Sequence, residues 1–165
     1  MFGKLKNIFK TGEDEGVKIA APMGGRTISL QEVNDPAFSE EMFGKGLAMR
    51  PIAGHLVSPV NGRVNQMFGT GHAVSLISDD GAEILIHIGL DTVKLRGQHF
   101  TPLVKTGGLV KTGDALIDFD IEAIKAAGYD IITPVVVCNS NDYKQFDLQT
   151  GRDVAIGEEI MTLRG

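Results

Sequence analysis

Short runs in which apolar and polar residues alternate follow one another from Val17 to the end of the chain, with turn residues between them. Alternation with a period of two is typical of strands that bury one face. The runs with this pattern cover residues 17–30, 55–68, 72–78, 82–90, 114–120, 130–138 and 157–163. Two of them share a Pro-x-x-Gly-Arg step, at Pro22–Arg26 and Pro59–Arg63, which predicts two equivalent hairpin corners.

Helical patterns are short and few. Residues 120–128, DIEAIKAAG, begin with an aspartate suited to an N-cap and end in glycine. Residues 34–44, NDPAFSEEMFG, contain Asp35-Pro36, a common helix start. Many strands and few helices, without regular alternation of the two, predict an all-β fold: an antiparallel β-sandwich or barrel with one or two short helices.

The first 16 residues differ from the rest. Phe2, Leu5, Ile8 and Phe9 fall at helical spacing with lysines between them, and an acidic GEDEG linker follows. This pattern is typical of a short helix lying on anionic lipid; an unstructured tail is the alternative, because ten residues form only a marginal helix in water. We therefore divide the chain into an amphipathic tail and acidic linker, residues 1–16, and a single domain, residues 17–165.

Charge and cysteine content narrow the function classes. The 165 residues carry a formal net charge of −5, which gives no basic surface for nucleic acid. The single cysteine, Cys138, cannot form an internal disulfide, which favours a reducing cytoplasm. No stretch approaches the roughly 20 apolar residues of a spanning helix. We expect a cytoplasmic protein, with weak peripheral contact at the inner face of the membrane through residues 2–10.

The most informative run is GAEILIHIGLDTV, residues 81–93, because an ionisable ring interrupts its apolar residues. As a strand, its core face carries Ile84, Ile86, Ile88 and Leu90. Its opposite face carries Glu83, Leu85, His87, Gly89 and Asp91. The glycine on that second face leaves the surface beside the imidazole clear.

The preceding run brings a second histidine close. A turn centred on Asp79-Asp80 places His72 directly opposite His87, and an Asp80-Gly81 loop places it diagonal to His87. Both registers put the two rings on one face, about 4.5–8 Å apart at Cβ. A three-residue loop with a bulge would put them on opposite faces.

Two adjacent neutral imidazoles admit three interpretations: solvated surface residues, zinc ligands, or phosphoryl transfer through a ring nitrogen. Thr70 shares the parity of His72 and can hold one nitrogen of that ring. Zinc needs three or four protein ligands, so a third must come from Glu83 or from a partner. An imidazole with a pKa near ~6.5 is a competent nucleophile, and a second ring can donate to phosphoryl oxygens.

The segment GAEILIHIGLDTV resembles the active-site signature of the glucose-type enzyme IIA component of the bacterial phosphoenolpyruvate-dependent sugar phosphotransferase system. PAFSEEMFGKGLAMRP, VSPVNGRV, TGHAVSL, KTGDALIDFD and TPVVVCN resemble the same family in the same order. The resemblance covers residues 17–163 and implies an antiparallel β-sandwich with Greek-key and jelly-roll character.

The resemblance also implies site residues and partners. His87 would accept a phosphoryl group from the phosphocarrier HPr and pass it to a cysteine of the IIB domain of a sugar permease, with no cofactor beyond this covalent phosphate. His72 would support the reaction, and Thr70 would orient His72. The implied partner-binding residues are Phe38, Met42, Phe43, Phe68, Leu85, Val93, Asp35, Asp91 and Gly89. Regulatory proteins are further implied partners, and His72 and His87 would bind zinc only together with a partner's ligand.

Two other functions compete with this one. SPVNGRV and GGLVKTGDAL are similar to parts of biotinyl and lipoyl carrier domains, but Lys94, the nearest equivalent of the modified lysine, lies outside a tight turn. A zinc hydrolase built on His72, His87 and Glu83 lacks the ligand spacing typical of such sites.

Overall fold

The computed structural model describes residues 16–165, and the predicted tail helix over residues 2–10 lies outside this range. The strands are β1 Val17–Ala20, β2 Gly25–Ser29, β3 Lys45–Pro51, β4 His55–Val57, β5 Gly62–Met67, β6 Ala73–Ser78, β7 Glu83–His87, β8 Phe100–Pro102, β9 Leu109–Val110, β10 Ala115–Phe119, β11 Thr133–Val137, β12 Gln145–Leu148, β13 Asp153–Val154 and β14 Glu159–Arg164. The α-helices are α1 Pro36–Ser39 and α2 Ile121–Ala126, and short 3-10 helices cover Leu30–Glu32, Thr92–Leu95 and Ser140–Asp142. Within the described residues, no helix is long and apolar enough to cross a membrane.

The strands form one large sheet and two small ones. The large sheet has eight strands in the order β9-β5-β6-β7-β11-β3-β2-β13, and the small sheets have three each, β4-β10-β8 and β12-β14-β1. Neighbouring strands pair antiparallel throughout the described chain. The predicted all-β antiparallel fold with two short helices is confirmed.

Apolar side chains cover both faces of the middle of the large sheet. On one face, Ile84 and Ile86 of β7 join Val135 and Val137 of β11 in the main core. On the other, Val136 belongs to a smaller cluster with Phe38 of α1, and Leu85 packs against it. Successive residues of a strand point to opposite faces. The ring of His87, two residues after Leu85, therefore lies on the face of the smaller cluster.

Each of the seven predicted runs contains at least one strand, but five strands lie outside them: β3, β8, β9, β12 and β13. The longest of these five is β3. This seven-residue strand lies between β11 and β2 in the large sheet. Leu47 and Met49 enter the main core while Ala48 enters the smaller cluster, so both faces are buried. β11 is also buried on both faces, but its consecutive valines indicate a strand, whereas β3, with Gly46 and Ala48, has no such run of β-branched residues.

The two Pro-x-x-Gly-Arg corners are equivalent and lie against each other, but the prediction that they are hairpins is wrong: each joins a strand of a small sheet to a strand of the large sheet, β1 to β2 and β4 to β5. The Ala20 amide donates to the Pro59 carbonyl at 3.0 Å, and the Val57 amide donates to the Pro22 carbonyl at 2.8 Å. Each corner thus provides a carbonyl acceptor for the strand that leads into the other corner.

Candidate functional site

His87 is the last residue of β7, and the chain turns sharply after it. Ile84, Ile86 and Ile88 are fully buried in the main core, as predicted. Leu90 was predicted to share their face, but it packs in the smaller cluster instead. The reason is that β7 ends at His87 and the next glycine, Gly89, takes a φ of 79°, so strand parity no longer applies.

The register of β6 and β7 differs from both registers that predicted a shared face for the histidines. Ala73 pairs with His87, and the loop between the strands has three residues, Asp79–Gly81, with Gly81 at a φ of 91°. This is the register for which strand parity predicted rings on opposite faces.

The two rings nevertheless lie together, because His72 lies outside the strand and strand parity does not apply to it. β6 begins at Ala73, and His72 sits in a bend after Gly71, whose φ is 71°. The bend is fixed by a hydrogen bond of 2.7 Å from the Ile88 amide to the His72 carbonyl. This bond joins the backbone segments that carry the two rings.

The two imidazoles lie in direct contact. Their centroids are 4.9 Å apart and their planes are nearly perpendicular, at 82°. Phe38 packs against His87 at 5.3 Å and Phe68 packs against His72 at 5.7 Å, between ring centroids. His72 is only 4% exposed, so it is not a solvated surface residue.

Hydrogen bonds at Nδ1 orient both rings. Nδ1 of His87 lies 2.7 Å from the carbonyl oxygen of Gly89. A carbonyl oxygen only accepts, so this nitrogen carries the proton and Nε2 keeps its lone pair in the neutral ring. Nδ1 of His72 lies 2.5 Å from the hydroxyl of Thr70, the residue predicted to hold it.

Burial lowers the pKa of both histidines. Loss of hydration disfavours the imidazolium and lowers the pKa of His72 to about 4, with the nearby His87 as a second cause. Burial also lowers the pKa of His87, against the opposing effects of its hydrogen bond to Gly89 and of the carboxylates of Asp35 and Asp91. Both rings are therefore neutral near pH 7.

The rings lie in an apolar depression of about 360 Å³. Its lining residues are Asp35, Ala37, Phe38, Phe43, Phe68, His72, Leu85, His87, Asp91 and Val93. Ala37 is a lining residue that the sequence did not indicate. Met42 does not line the depression; it projects beside it from the segment after α1 with 72% of its surface exposed.

Helix α1 brings Asp35 and Phe38 to the depression although both lie far from the histidines in sequence. Pro36 occupies the first turn, and the Asp35 carboxylate caps the helix by accepting from the Ala37 amide at 3.0 Å. The carboxylate is thereby held at the rim. Phe38 contacts the ring of Phe43, which is 47% exposed, at a centroid distance of 5.3 Å.

Gly89 supports the site through its backbone. It is not among the lining residues, and its contribution is the carbonyl that accepts from His87. Glycine is required because φ is positive and because a Cβ would lie 2.5 Å from Cγ2 of Thr92. The alternation of apolar and polar residues in the sequence cannot reveal a positive φ or the close contact with Thr92.

The structure does not favour the zinc hydrolase or the carrier domain. Among residues 16–165, no group of three or more His, Cys, Asp or Glu side chains is placed to hold a metal ion. The two histidines supply two of the ligands that zinc takes, and Glu83 does not join them. Lys94 lies in the 3-10 helix Thr92–Leu95 rather than at a hairpin tip.

Comparisons with known proteins agree with the geometry. The family model of the phosphoenolpyruvate-dependent sugar phosphotransferase system, EIIA 1, matches residues 17–143. The glucose-specific EIIA component of Halalkalibacterium halodurans is 42% identical over 170 residues, covering 99% of this chain and 98% of that protein. The structure of glucose permease IIA from Mycoplasma capricolum superposes with a TM-score of 0.82 and 31% identity, covering 98% of both chains.

Longer proteins contain a similar region. The beta-glucoside-specific EIIBCA component of Bacillus subtilis is 55% identical over 125 residues, which are 76% of this chain. The chain spans 20% of the length of that relative. From the family match and the full-length relatives, this chain belongs to the EIIA 1 family of the phosphoenolpyruvate-dependent sugar phosphotransferase system.

Proposed function

We propose that the chain relays a phosphoryl group, taking it from HPr onto Nε2 of His87 and giving it to a cysteine of the IIB domain of a sugar permease. The observation that carries this proposal is a pair of neutral, touching imidazoles at the base of an apolar depression, one with its Nδ1 proton bound to a carbonyl. The sugar is bound by the permease and does not enter the reaction at this site.

The relay needs no other reactant. The Nε2 lone pair of His87 attacks the phosphorus of the phosphohistidine on HPr, and the phosphorus–nitrogen bond of the donor breaks as the new one forms. The electron pair of the broken bond returns to the donor ring. In the second step a cysteine thiolate attacks the same phosphorus, and the electron pair returns to Nε2 of His87. A lowered pKa favours the first step, because a ring protonated on both nitrogens has no lone pair on Nε2 for the attack.

His72 is proposed to stabilise the phosphoryl oxygens during both steps. If the Thr70 hydroxyl donates to Nδ1 of His72, the ring proton sits on Nε2 and points away from Thr70. The contact between the two rings, whose centroids are 4.9 Å apart, supports this role for His72. A neutral donor in an apolar site stabilises negative charge as it develops.

The depression suits partners that are apolar at the centre and basic at the edge. Phe43 and Val93 are about half exposed, which is unusual for large apolar side chains and typical of interfaces. Asp35 and Asp91 add carboxylates beside them. HPr and the IIB domain must both reach the same phosphorus, so we propose that they bind this surface in turn. We further propose that the domain acts in the cytoplasm, where it would meet HPr, and that the amphipathic sequence of residues 2–10 gives weak contact with the inner face of the membrane.

The test is transfer of labelled phosphate from phosphoenolpyruvate through enzyme I and HPr. The wild-type chain should gain one acid-labile, alkali-stable phosphate, and His87→Ala should gain none. His72→Ala should accept phosphate but deliver it poorly to a IIB domain. His55→Ala is the matched control, because His55 is an exposed histidine that pairs with Asp118. Label that persists in His87→Ala, or that disappears in His55→Ala, would contradict the assignment.

A further inference from the structure

The carbonyl of Gly89 determines which nitrogen of His87 carries the proton, so the contacts that fix this carbonyl affect the reacting atom. Thr92 makes two of them. Its hydroxyl donates to the carbonyl of Ile88, the residue before Gly89, at 2.5 Å. Its methyl group lies where a side chain on Gly89 would be, 2.5 Å from an ideal Cβ. Thr92 itself is completely buried.

Backbone contacts hold the rest of this turn. The Ile88 amide donates to the His72 carbonyl at 2.7 Å, and the Leu90 amide donates to the Asp130 carbonyl at 3.0 Å. These bonds fix the peptide before Ile88 and the peptide after Gly89, and they leave the peptide between Ile88 and Gly89, with its Ile88 carbonyl, to Thr92. A buried carbonyl that loses its hydrogen bond destabilises the fold, so the conformation of this turn depends on the hydrogen bond from the Thr92 hydroxyl to the Ile88 carbonyl.

We propose that Thr92 is a positioning residue for the phosphoryl acceptor. By fixing the peptide before Gly89 and packing against its Cα, Thr92 aims the Gly89 carbonyl at Nδ1 of His87. The carbonyl keeps the ring proton on Nδ1 and leaves the lone pair on Nε2, facing the depression. The role rests on the proposed function of His87, but its effect on the proton can be measured without any transfer reaction.

The test uses Thr92→Val, which keeps the shape and removes the hydroxyl, and Thr92→Ser, which keeps the hydroxyl. Nitrogen-15 NMR of the histidine rings reports which nitrogen carries the proton, and the spectrum of His87→Ala assigns the signals. Thr27→Val is the matched control. Thr27 is also fully buried, and its hydroxyl donates to the Gln149 carbonyl at 2.6 Å, away from the depression.

In the wild type and in Thr92→Ser, His87 should carry its proton on Nδ1 alone. In Thr92→Val a measurable fraction of rings should carry it on Nε2, and acceptance of phosphate from HPr should slow roughly fivefold, the equivalent of one hydrogen bond. Thr92→Ala, which places no methyl against the Ile88 carbonyl, carries the same expectation if the valine variant does not fold.

Three results would overturn the proposal. They are an unchanged Nδ1 proton in Thr92→Val and Thr92→Ala, an equal shift in Thr27→Val, and failure of Thr92→Ser to behave as wild type. Failure of the proposed function is distinct, because label remaining on His87→Ala would leave the NMR result unaffected.

Discussion

Acidification should destabilise the fold through His72. Because burial lowers the pKa of this ring to about 4, from 6.5 in the unfolded chain, the unfolded state binds the proton first as the pH falls. Stability from this group is therefore complete above pH 6.5 and is lost progressively as the pH falls towards 4. The His72→Gln variant has no ring to protonate, so its free energy of unfolding should fall less over the same pH range.

The size of the effect follows from the two pKa values. Between pH 7.5 and 5.0 they give a loss of about 2 kcal/mol in the free energy of unfolding, a sizeable share of the 5–15 kcal/mol typical of a domain. Urea titrations at the two pH values measure it, with circular dichroism as the signal because the chain has no tryptophan. The midpoint of the wild type should fall by roughly 1 M more than that of His72→Gln.

Between pH 7.5 and 9 the ring is neutral in both states, so the difference between the two proteins should stay constant there. If the wild type and His72→Gln lost the same free energy of unfolding between pH 7.5 and 5.0, His72 would take up its proton in the folded state. That result would remove the basis for treating His72 and His87 as a neutral pair.

Three further changes have expected outcomes. Thr70→Val should leave phosphate acceptance intact but slow delivery to a IIB domain roughly tenfold, measured by transfer of label. An unchanged rate would show that the Thr70 hydroxyl does not act by orienting the ring of His72. Gly89→Ala should lower the free energy of unfolding in urea by about 2–4 kcal/mol, because the residue has a φ of 79° and a Cβ there would clash with Thr92. Gly113→Ala, where φ is 96° and no atom lies near the Cβ position, should lower it by about 1 kcal/mol. Equal losses in the two variants would contradict the clash. Asp120→Ala should lose about 1 kcal/mol through the N-cap bond to α2, and Asp120→Asn should lose much less.

The sequence predicted the fold class well because most strands bury only one face. The main core residues of β7 could be located from alternation alone, whereas β3 and the short strands β8, β9, β12 and β13 escaped prediction. The helix caps Asp35 and Asp120 were also visible, since capping depends on local sequence.

The site was predicted through resemblance more than through periodicity. The alternation of faces holds only within a strand. His72 lies one residue before β6 begins, so the observed register of β6 and β7 would predict the wrong face for its ring. The Gly89 carbonyl is a backbone group with no signature in the sequence. Phe38 contacts both His87 and Phe43 through tertiary packing, and residues about 50 positions apart, such as Phe38 and His87, have no local pattern that joins them.

The pairing of β1 constrains how the chain can fold. In its sheet β1 pairs with β14, so the first described strand finds its partner only in residues 159–164. Synthesis must therefore reach these residues before β1 can pair, and such distant pairing makes folding slow, on a scale of milliseconds to seconds. Proteolytic removal of β14 would leave β1 with unpaired amides and carbonyls, which are a template for aggregation between molecules.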